Sequence, residues 1–210
     1  MSKAEMPLMG SMSKSMGNFT TYTLNGMNIV RSKPFRVKDD KSKKQLNMRA
    51  RMKPISKMYQ EFSSIIALGF PERDVRLSPQ NMFVSVNFNR AFVMKDETPV
   101  ISYPLMLLAK GTLPPVTITE VTTGAEGLTL NYDALALLPD VTATDEIIAC
   151  ALLITGELLM ARQFIGHEPT GTIRLNYPAL QAEEVVCCYV FVRSGDGKKA
   201  SESGYVEVNG

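Results

Sequence analysis

The sequence predicts a mainly β protein with an N-terminal helical segment: a β-hairpin, an amphipathic helix and then a β-sandwich. Three observations predict this fold class. A turn dipeptide separates two runs of strand-forming residues near the start, apolar residues then recur at helical spacing, and from about residue 80 short β-rich runs alternate with turn residues. We expect residues 1–17 to form a flexible arm, 18–112 to hold the hairpin, the helix and short strands, and 113–210 to form the sandwich.

The hairpin prediction rests on the dipeptide Asn25-Gly26, because a type I′ turn requires positive φ at both central residues. Residues 18–24 before it are rich in Thr and aromatic residues, and residues 27–31 return as the second strand. Pro34 then ends the pairing because proline has no N–H to donate. Residues 1–17 are rich in Met, Ser, Gly and Lys and contain no β-branched residue, so we expect them to be disordered.

Apolar residues at spacings of three and four predict a helix over residues 42–68, with Ser42 as its N-cap. Pro54 interrupts the pattern, so the segment is either one kinked helix or two successive helices. Gly69 and Pro71 end it. The residues of the apolar stripe are Met52, Ile55, Tyr59, Phe62 and Ile66.

Residues beyond the helix are expected to form strands, because β-branched and aromatic runs alternate there with turn signals. The seven strands predicted after residue 113 follow one another at the spacing that is typical of a sandwich. The predicted strands are 81–88, 100–103, 105–108, 116–121, 128–132, 147–154, 157–164, 172–177, 185–193 and 204–208. Residues 128–135 resemble residues 173–180, and we interpret this echo as two equivalent corners of a sandwich rather than as two binding motifs.

Charge is unevenly distributed along the chain. Residues 1–60 contain 13 Lys and Arg against 3 Asp and Glu, a net charge of +10, whereas residues 77–210 contain 8 against 15, a net charge of −7. A basic segment joined to an acidic body is typical of a chain that binds an anionic partner or its own neighbour. The sequence therefore favours a binding or assembly role.

The sequence offers little for catalysis or metal binding. His167 is the single histidine and no nucleophile motif accompanies it, so we expect a residue of a surface turn. Acidic pairs such as Asp145-Glu146 and Glu183-Glu184 consist of adjacent residues, which do not face each other across a substrate, and we expect solvated turns and strand edges. We therefore expect no enzyme activity, no catalytic residue, no metal site and no cofactor.

The three cysteines, Cys150, Cys187 and Cys188, are too few for a disulfide framework, and their odd number also argues against one. Cys187 and Cys188 are adjacent in a predicted strand, so their side chains should point to opposite faces as small buried apolar groups. No apolar run is long enough to span a membrane, and the first 17 residues lack the apolar block of a secretory signal. We expect a protein of the cytoplasm, or of a particle assembled there, with no membrane contact.

A series of spaced residues covers about positions 17–50: Gly17, Asn18, Tyr22, Gly26, Val30, Arg31, Ser32, Pro34, Gln45, Leu46 and Arg49. This series resembles the pattern G-N-x-x-x-Y, V-R-S-x-P and Q-L-x-x-R of an uncharacterised family common in Bacteroidota. Residues 185–208 also resemble the last two strands of an immunoglobulin or fibronectin type III module, which implies an immunoglobulin-like β-sandwich. Neither resemblance implies a catalytic residue.

Three functions are compatible with these observations. We favour a non-catalytic structural or assembly protein, such as a virion or tail component of a phage or phage-like particle, whose basic arm contacts neighbouring subunits, either copies of itself or other proteins. Nucleic-acid binding through the basic arm is the alternative, and a carbohydrate- or surface-binding module is the third, although the chain contains no Trp. The residues expected to bind the partner are Phe19, Tyr22 and Phe35 as anchors, and Arg31, Lys33, Arg36, Lys38, Lys43, Lys44, Arg49 and Arg51 for charge contacts.

Overall fold

The computed structural model describes residues 14–24, 26–33, 41–96, 98–133, 140–166 and 170–208. The contacts of the folded chain divide it after Ser42 into two compact units, 1–42 and 43–210. The domain boundaries that the sequence predicts, after residues 17 and 112, stay predictions.

The first unit contains a three-stranded antiparallel sheet in the order β1 (Lys14–Met16), β2 (Phe19–Leu24) and β3 (Met27–Ser32). The predicted hairpin is therefore confirmed, and Gly26 at its turn has a φ of 76°. The expectation of disorder is wrong for Lys14–Met16, and residues 1–13 lie outside the described residues. Gly17 adopts a left-handed conformation, with φ 54°, which reverses the chain so that β1 pairs with β2 despite its weak strand propensity.

The second unit begins with three helices: α1 (Lys43–Glu61), α2 (Ser63–Gly69) and α3 (Pro79–Asn87). α1 and α2 confirm the helix predicted over residues 42–68 and its end at Gly69. Pro54 lies inside α1, so the break between the two helices comes later, at Phe62. The predicted stripe is buried at Ile55, Phe62 and Ile66, whereas Met52 is exposed.

α3 replaces the strand that the sequence predicts over residues 81–88, and that prediction is wrong. The helix starts at a cap: the Ser78 side chain accepts a hydrogen bond of 3.2 Å from the backbone N–H of Asn81. Pro79 occupies the first turn, where its missing N–H costs nothing. These N-terminal signals outweigh the β propensity of the Val and Phe residues that follow.

In the described part of the second unit, nine antiparallel strands accompany the helices. A hairpin of β4 (Phe92–Lys95) and β5 (Thr98–Ile101) follows the helices. Residue 113 is then followed by β6 (Ile118–Gly124), β7 (Gly127–Asp133), β8 (Glu146–Leu153), β9 (Leu158–Phe164), β10 (Thr170–Asn176), β11 (Val185–Arg193) and β12 (Gly204–Val206). These seven strands confirm the seven predicted after residue 113. The strand predicted over 105–108 is wrong, because Tyr103–Leu105 forms a 3-10 turn and the next residues join no named strand.

The strands after residue 113 form two sheets, in the orders β10-β7-β6 and β12-β11-β8-β9. Apolar side chains of both sheets share one core, so they form a β-sandwich. The opposite face of the four-stranded sheet carries a second core, which it shares with the three helices. The second unit therefore has three layers: helices, a four-stranded sheet and a three-stranded sheet.

The cysteines lie in the four-stranded sheet and are free and buried, as predicted. Cys188 belongs to the core between the sheets, whereas Cys150 and Cys187 belong to the core under the helices. Cys187 and Cys188 therefore do point to opposite faces. Burial raises the pKa of Cys187 and of Cys188 to about 12, and it raises the pKa of Cys150 well above its ordinary value.

A buried segment, 106–109, lies beside the helical layer. Polar side chains supply the hydrogen bonds that a neighbouring backbone strand would otherwise provide to it. The Asn87 side chain donates to Leu107 O at 2.8 Å and accepts from Leu107 N at 2.8 Å. The hydroxyl of Ser203 accepts from Leu108 N at 2.9 Å. Both side chains are buried, so these bonds satisfy polar groups that water does not reach.

We expect Gly69→Ala to lower the free energy of unfolding by about 3 kcal/mol or more. A Cβ at this position would lie 2.2 Å from Leu108 O and 2.9 Å from the Cα of Ala109, so backbone must move. Chemical denaturation checks this result. Gly124→Ala is the matched control because a Cβ there meets nothing within 4 Å, and a stability loss no greater at Gly69 than at Gly124 would contradict the packing.

We also expect the free energy of unfolding to fall as pH rises from about 9, by up to about 1.4 kcal/mol per pH unit for each buried thiol. The folded thiols stay protonated because their pKa values are raised, while those of the unfolded chain ionise near their ordinary value of 9.0. Urea titrations between pH 8 and 10 measure this slope. Cys188→Ala should reduce it by one thiol's share, and a pH-independent stability in this window would contradict the assignment.

Candidate functional site

An open groove lies between two sheet edges of the second unit. β6 is an edge of the three-stranded sheet, and β12 is an edge of the four-stranded sheet. The groove between them has a volume of about 530 Å³. Its apolar lining comes from Val116, Ile118, Val121, Val190 and Val206.

Both edges carry a row of backbone groups that no described strand pairs. β6 pairs with β7 on one side, and β12 pairs with β11 on one side. On its paired side the ladder with β7 begins before β6 itself, since Asp133 N donates to Thr117 O at 3.2 Å. An unpaired edge is a template for a further strand. The groove can therefore accept an extended polypeptide both through backbone hydrogen bonds and through its apolar lining.

A β-bulge shapes the rim of the groove on the β6 side. The pairing register of β6 shifts between Ile118 and Glu120, and such a shift re-aims the side chains around it. Asn131 fixes the bulge: its carbonyl accepts from the Thr119 hydroxyl at 3.2 Å, and its side-chain amide donates to Glu120 Oε2 at 2.9 Å. The Glu120 carboxylate is thereby held at the rim.

Two exposed carboxylates line the groove, one on each side. Glu120 is on β6, and Glu207 follows β12. Neither has an ion-pair partner among the residues that the structure describes. The groove therefore combines an apolar lining with uncompensated negative charge, which favours a ligand that carries apolar and basic side chains.

Gly204 keeps the groove open at the first residue of β12. A Cβ at this position would lie 3.9 Å from Val190 O and 4.0 Å from Val116 O, which are ordinary contact distances. Its backbone is outside the left-handed region, so a larger residue could occupy the position without strain. The missing side chain leaves space that a side chain of a ligand could fill.

The predicted partner-binding residues are divided between the two units. Those on the hairpin are Phe19, Tyr22 and Arg31, followed directly by Lys33. Phe19 is 54% exposed and Tyr22 is half-buried, while Arg31 and Lys33 are both exposed. Phe35, Arg36 and Lys38 lie outside the described residues.

The remaining predicted residues lie on α1. Lys43, Lys44 and Arg49 are exposed on its first two turns. Arg51 is engaged within the fold: its guanidinium lies 5.7 Å from the Phe92 ring centroid and 6.0 Å from the Phe88 ring centroid. This cation–π stacking ties α1 to the start of β4 and gives Arg51 a structural role.

Sequence reasoning missed the groove. Glu120 and Glu207 are more than 80 positions apart in the chain, and no local pattern indicates that β6 and β12 lie side by side. The usable signal was the unlike charge of the two ends of the sequence, which pointed to the acidic body without naming a position.

The acidic pair Asp145-Glu146 serves the fold. Asp145 is 3% exposed and accepts from Thr142 N at 2.9 Å and from Gly195 N at 3.0 Å, so the expectation of a solvated residue is wrong there. Its neighbour Glu146 pairs with Arg162 on β9. His167 lies outside the described residues. Among the described residues no cluster of His, Cys, Asp and Glu could hold a metal ion, and no helix is long and apolar enough to cross a membrane.

Comparison with known proteins agrees with the predicted membership of an uncharacterised family. No curated protein matches this chain at a significant level. The model of one protein family matches residues 11–207, a range that takes in the hairpin sheet, the three helices and both sheets of the sandwich. The chain therefore belongs to DUF6266, a family of unknown function.

Proposed function

We propose that this protein is a non-catalytic assembly subunit that binds an extended strand of another copy in the groove between β6 and β12. The observation that carries the proposal is the presence of two unpaired sheet edges, β6 and β12, on the two sides of an apolar groove. Strand addition needs both features, since backbone hydrogen bonds supply affinity and side-chain pockets supply specificity. In this role the described carboxylates and thiols work in folding and recognition rather than in chemistry.

A groove that receives a strand from elsewhere on the molecule makes a heterologous contact, and such contacts continue into rings or filaments. We propose on this basis that the assembly is a repeating particle, with a virion or tail component of a phage or phage-like particle as its setting. The particle would form in the cytoplasm. The resemblance over positions 17–50 supports a further part of the proposal, that the relatives of this chain are common in Bacteroidota.

We expect Gly204→Gln to abolish self-association of the full-length chain. The new side chain would fill the groove at the position where a Cβ has ordinary contact distances, so the fold should tolerate it. Light scattering behind size-exclusion chromatography, over a range of protein concentrations, measures the mass of the wild-type chain and of the variant.

Gly124→Gln is the matched control because Gly124, the last residue of β6, lies outside the groove lining and has open space around it. It should assemble as the wild type does, and thermal melting should show that all three chains are folded. A wild-type chain that stays monomeric at every concentration, or a Gly204→Gln variant that assembles normally, would rule out the proposed function.

Nucleic-acid binding is the second candidate, and a feature of α1 favours it. Arg49, Lys53 and Lys57 recur at every fourth position, which puts them on one helix face, and all three are exposed. Lys57 also pairs with Glu61, with 3.5 Å between Nζ and the carboxylate oxygen. A basic helix face of this kind suits the phosphate backbone and carries no sequence preference.

If this second candidate is right, Lys53→Gln with Lys57→Gln should weaken binding to unrelated DNA duplexes and reduce the slope of log affinity against log salt by about two. Fluorescence anisotropy with a labelled duplex measures both quantities. Lys198→Gln with Lys199→Gln, a pair of exposed lysines in a turn, is the control. Absence of wild-type binding at low salt would eliminate nucleic acid as the partner.

A further inference from the structure

We infer that the strand received by the groove is β3 of a second copy, an inference that rests on the function proposed above. β3 is the outer strand of its own sheet. Among the described residues it pairs with β2 and with no other strand. Its second edge is therefore available to continue a sheet across a subunit boundary.

The length of β3 matches the edge that would receive it. β3 spans Met27–Ser32, six residues, and β6 spans Ile118–Gly124, seven residues, so a full ladder with β3 needs only residues 118–123 and leaves Gly124 outside the contact. β1 offers the other free edge of the hairpin sheet, but Lys14–Met16 is three residues long. A ladder of six residues gives β3 twice the pairing of β1, so β3 is the better donor.

The side chains of β3 match the lining of the groove. Alternate residues of a strand share a face, so Met27, Ile29 and Arg31 point the same way. This face starts with apolar side chains and ends with a basic one. The apolar residues of this face suit Val116, Ile118 and Val121, which line the groove.

Charge supports the same pairing. Arg31 and Lys33 are exposed and have no ion-pair partner among the described residues, as is also true of Glu120 and Glu207. Residues 1–42 contain 7 Lys and Arg against 3 Asp and Glu, whereas residues 77–210 carry the net charge of −7. The two surfaces therefore attract each other over a distance, and salt weakens that attraction.

Each copy then carries one donor strand and one acceptor groove. A head-to-tail contact leaves a free donor at one end and a free groove at the other, so assembly continues beyond a dimer unless two copies exchange their strands reciprocally. The ligand of the groove is thus a polypeptide strand of this same chain, with apolar side chains followed by basic ones.

Charge reversal on the full-length chain tests the donor. Arg31→Glu with Lys33→Glu reverses the charge at the end of β3, and Glu120→Lys with Glu207→Lys reverses the charge of the groove. Each double variant should raise the dissociation constant of self-association by at least about tenfold at low salt. The quadruple variant, which carries all four substitutions, should restore self-association. Lys198→Glu with Lys199→Glu changes the net charge as much as the donor variant does, and it should assemble as the wild type.

The outcomes separate this inference from the proposed function. If Gly204→Gln and the groove reversal abolish assembly while the β3 reversal leaves it unchanged, the groove binds another strand and β3 is excluded as the donor. If none of the three variants changes assembly, both the inference and the proposed function are wrong. Thermal melting of each variant separates loss of assembly from loss of folding.

Cross-linking tests the contact between copies directly. One chain carries Ser32→Cys at the end of β3, the other carries Thr119→Cys in the groove, and both positions are exposed. A short bismaleimide should join them only when the two chains are mixed, because the three native thiols are buried. Gln163→Cys on β9 replaces Thr119→Cys as the control.

A covalent heterodimer in the first mixture and none in the control supports the inference. A cross-link that forms within a single chain carrying both Ser32→Cys and Thr119→Cys, with no product in the mixture, would overturn it, because β3 would then occupy its own groove. Equal yields from the Thr119→Cys and Gln163→Cys mixtures would also overturn it.

Discussion

Burial of the four-stranded sheet on both faces is the constraint on which the rest of the second unit depends. Side chains of β8 and β11 alternate between the sandwich core and the core under the helices, so nearly every residue of both strands is apolar and buried. Removing either outer layer would expose one of these faces to water. The helices therefore belong to the same hydrophobic core structure as the sandwich. The three-stranded sheet covers only one face of β8 and β11, and without the helices the apolar side chains of the other face would be exposed to water.

Where layers of this kind end, backbone N–H and C=O groups lie outside the strands and helices and need hydrogen-bond partners from nearby side chains. Asn87 and Ser203 are these partners for the buried segment 106–109. Glu72 has the same role for two other backbone groups: its carboxylate accepts hydrogen bonds from Thr112 N at 2.9 Å and from Ala200 N at 3.2 Å. At β6 and β12 no described residue performs this task, so water or a partner must pair the edge.

The sequence predicted what local signals control. Asn25-Gly26 located the hairpin, Gly69 located the end of α2, and the alternation of apolar runs with turns located the strands after residue 113. Helix α3 was missed because its nine residues contain Phe83 and Val84, which favour strands, while the decisive Ser78 cap is a single residue. The candidate groove was out of reach because it depends on sheet order, and sheet order is a property of contacts between residues far apart in the chain.

The two sides of the sandwich differ, and chain connectivity explains which one is open. β7 and β10, which carry most of the echo between 128–135 and 173–180, lie side by side, with Leu130 opposite Ile173 and Leu128 opposite Leu175. β9 and β10 are consecutive, so the short connection between them keeps that side of the two sheets together. β6 and β12 are not paired with each other, although the segments that precede them are in contact, where Leu113 N donates to Ala200 O at 2.9 Å. Beyond this contact both edges are unpaired among the described residues, and this is why the proposed function places the added strand on this side of the sandwich.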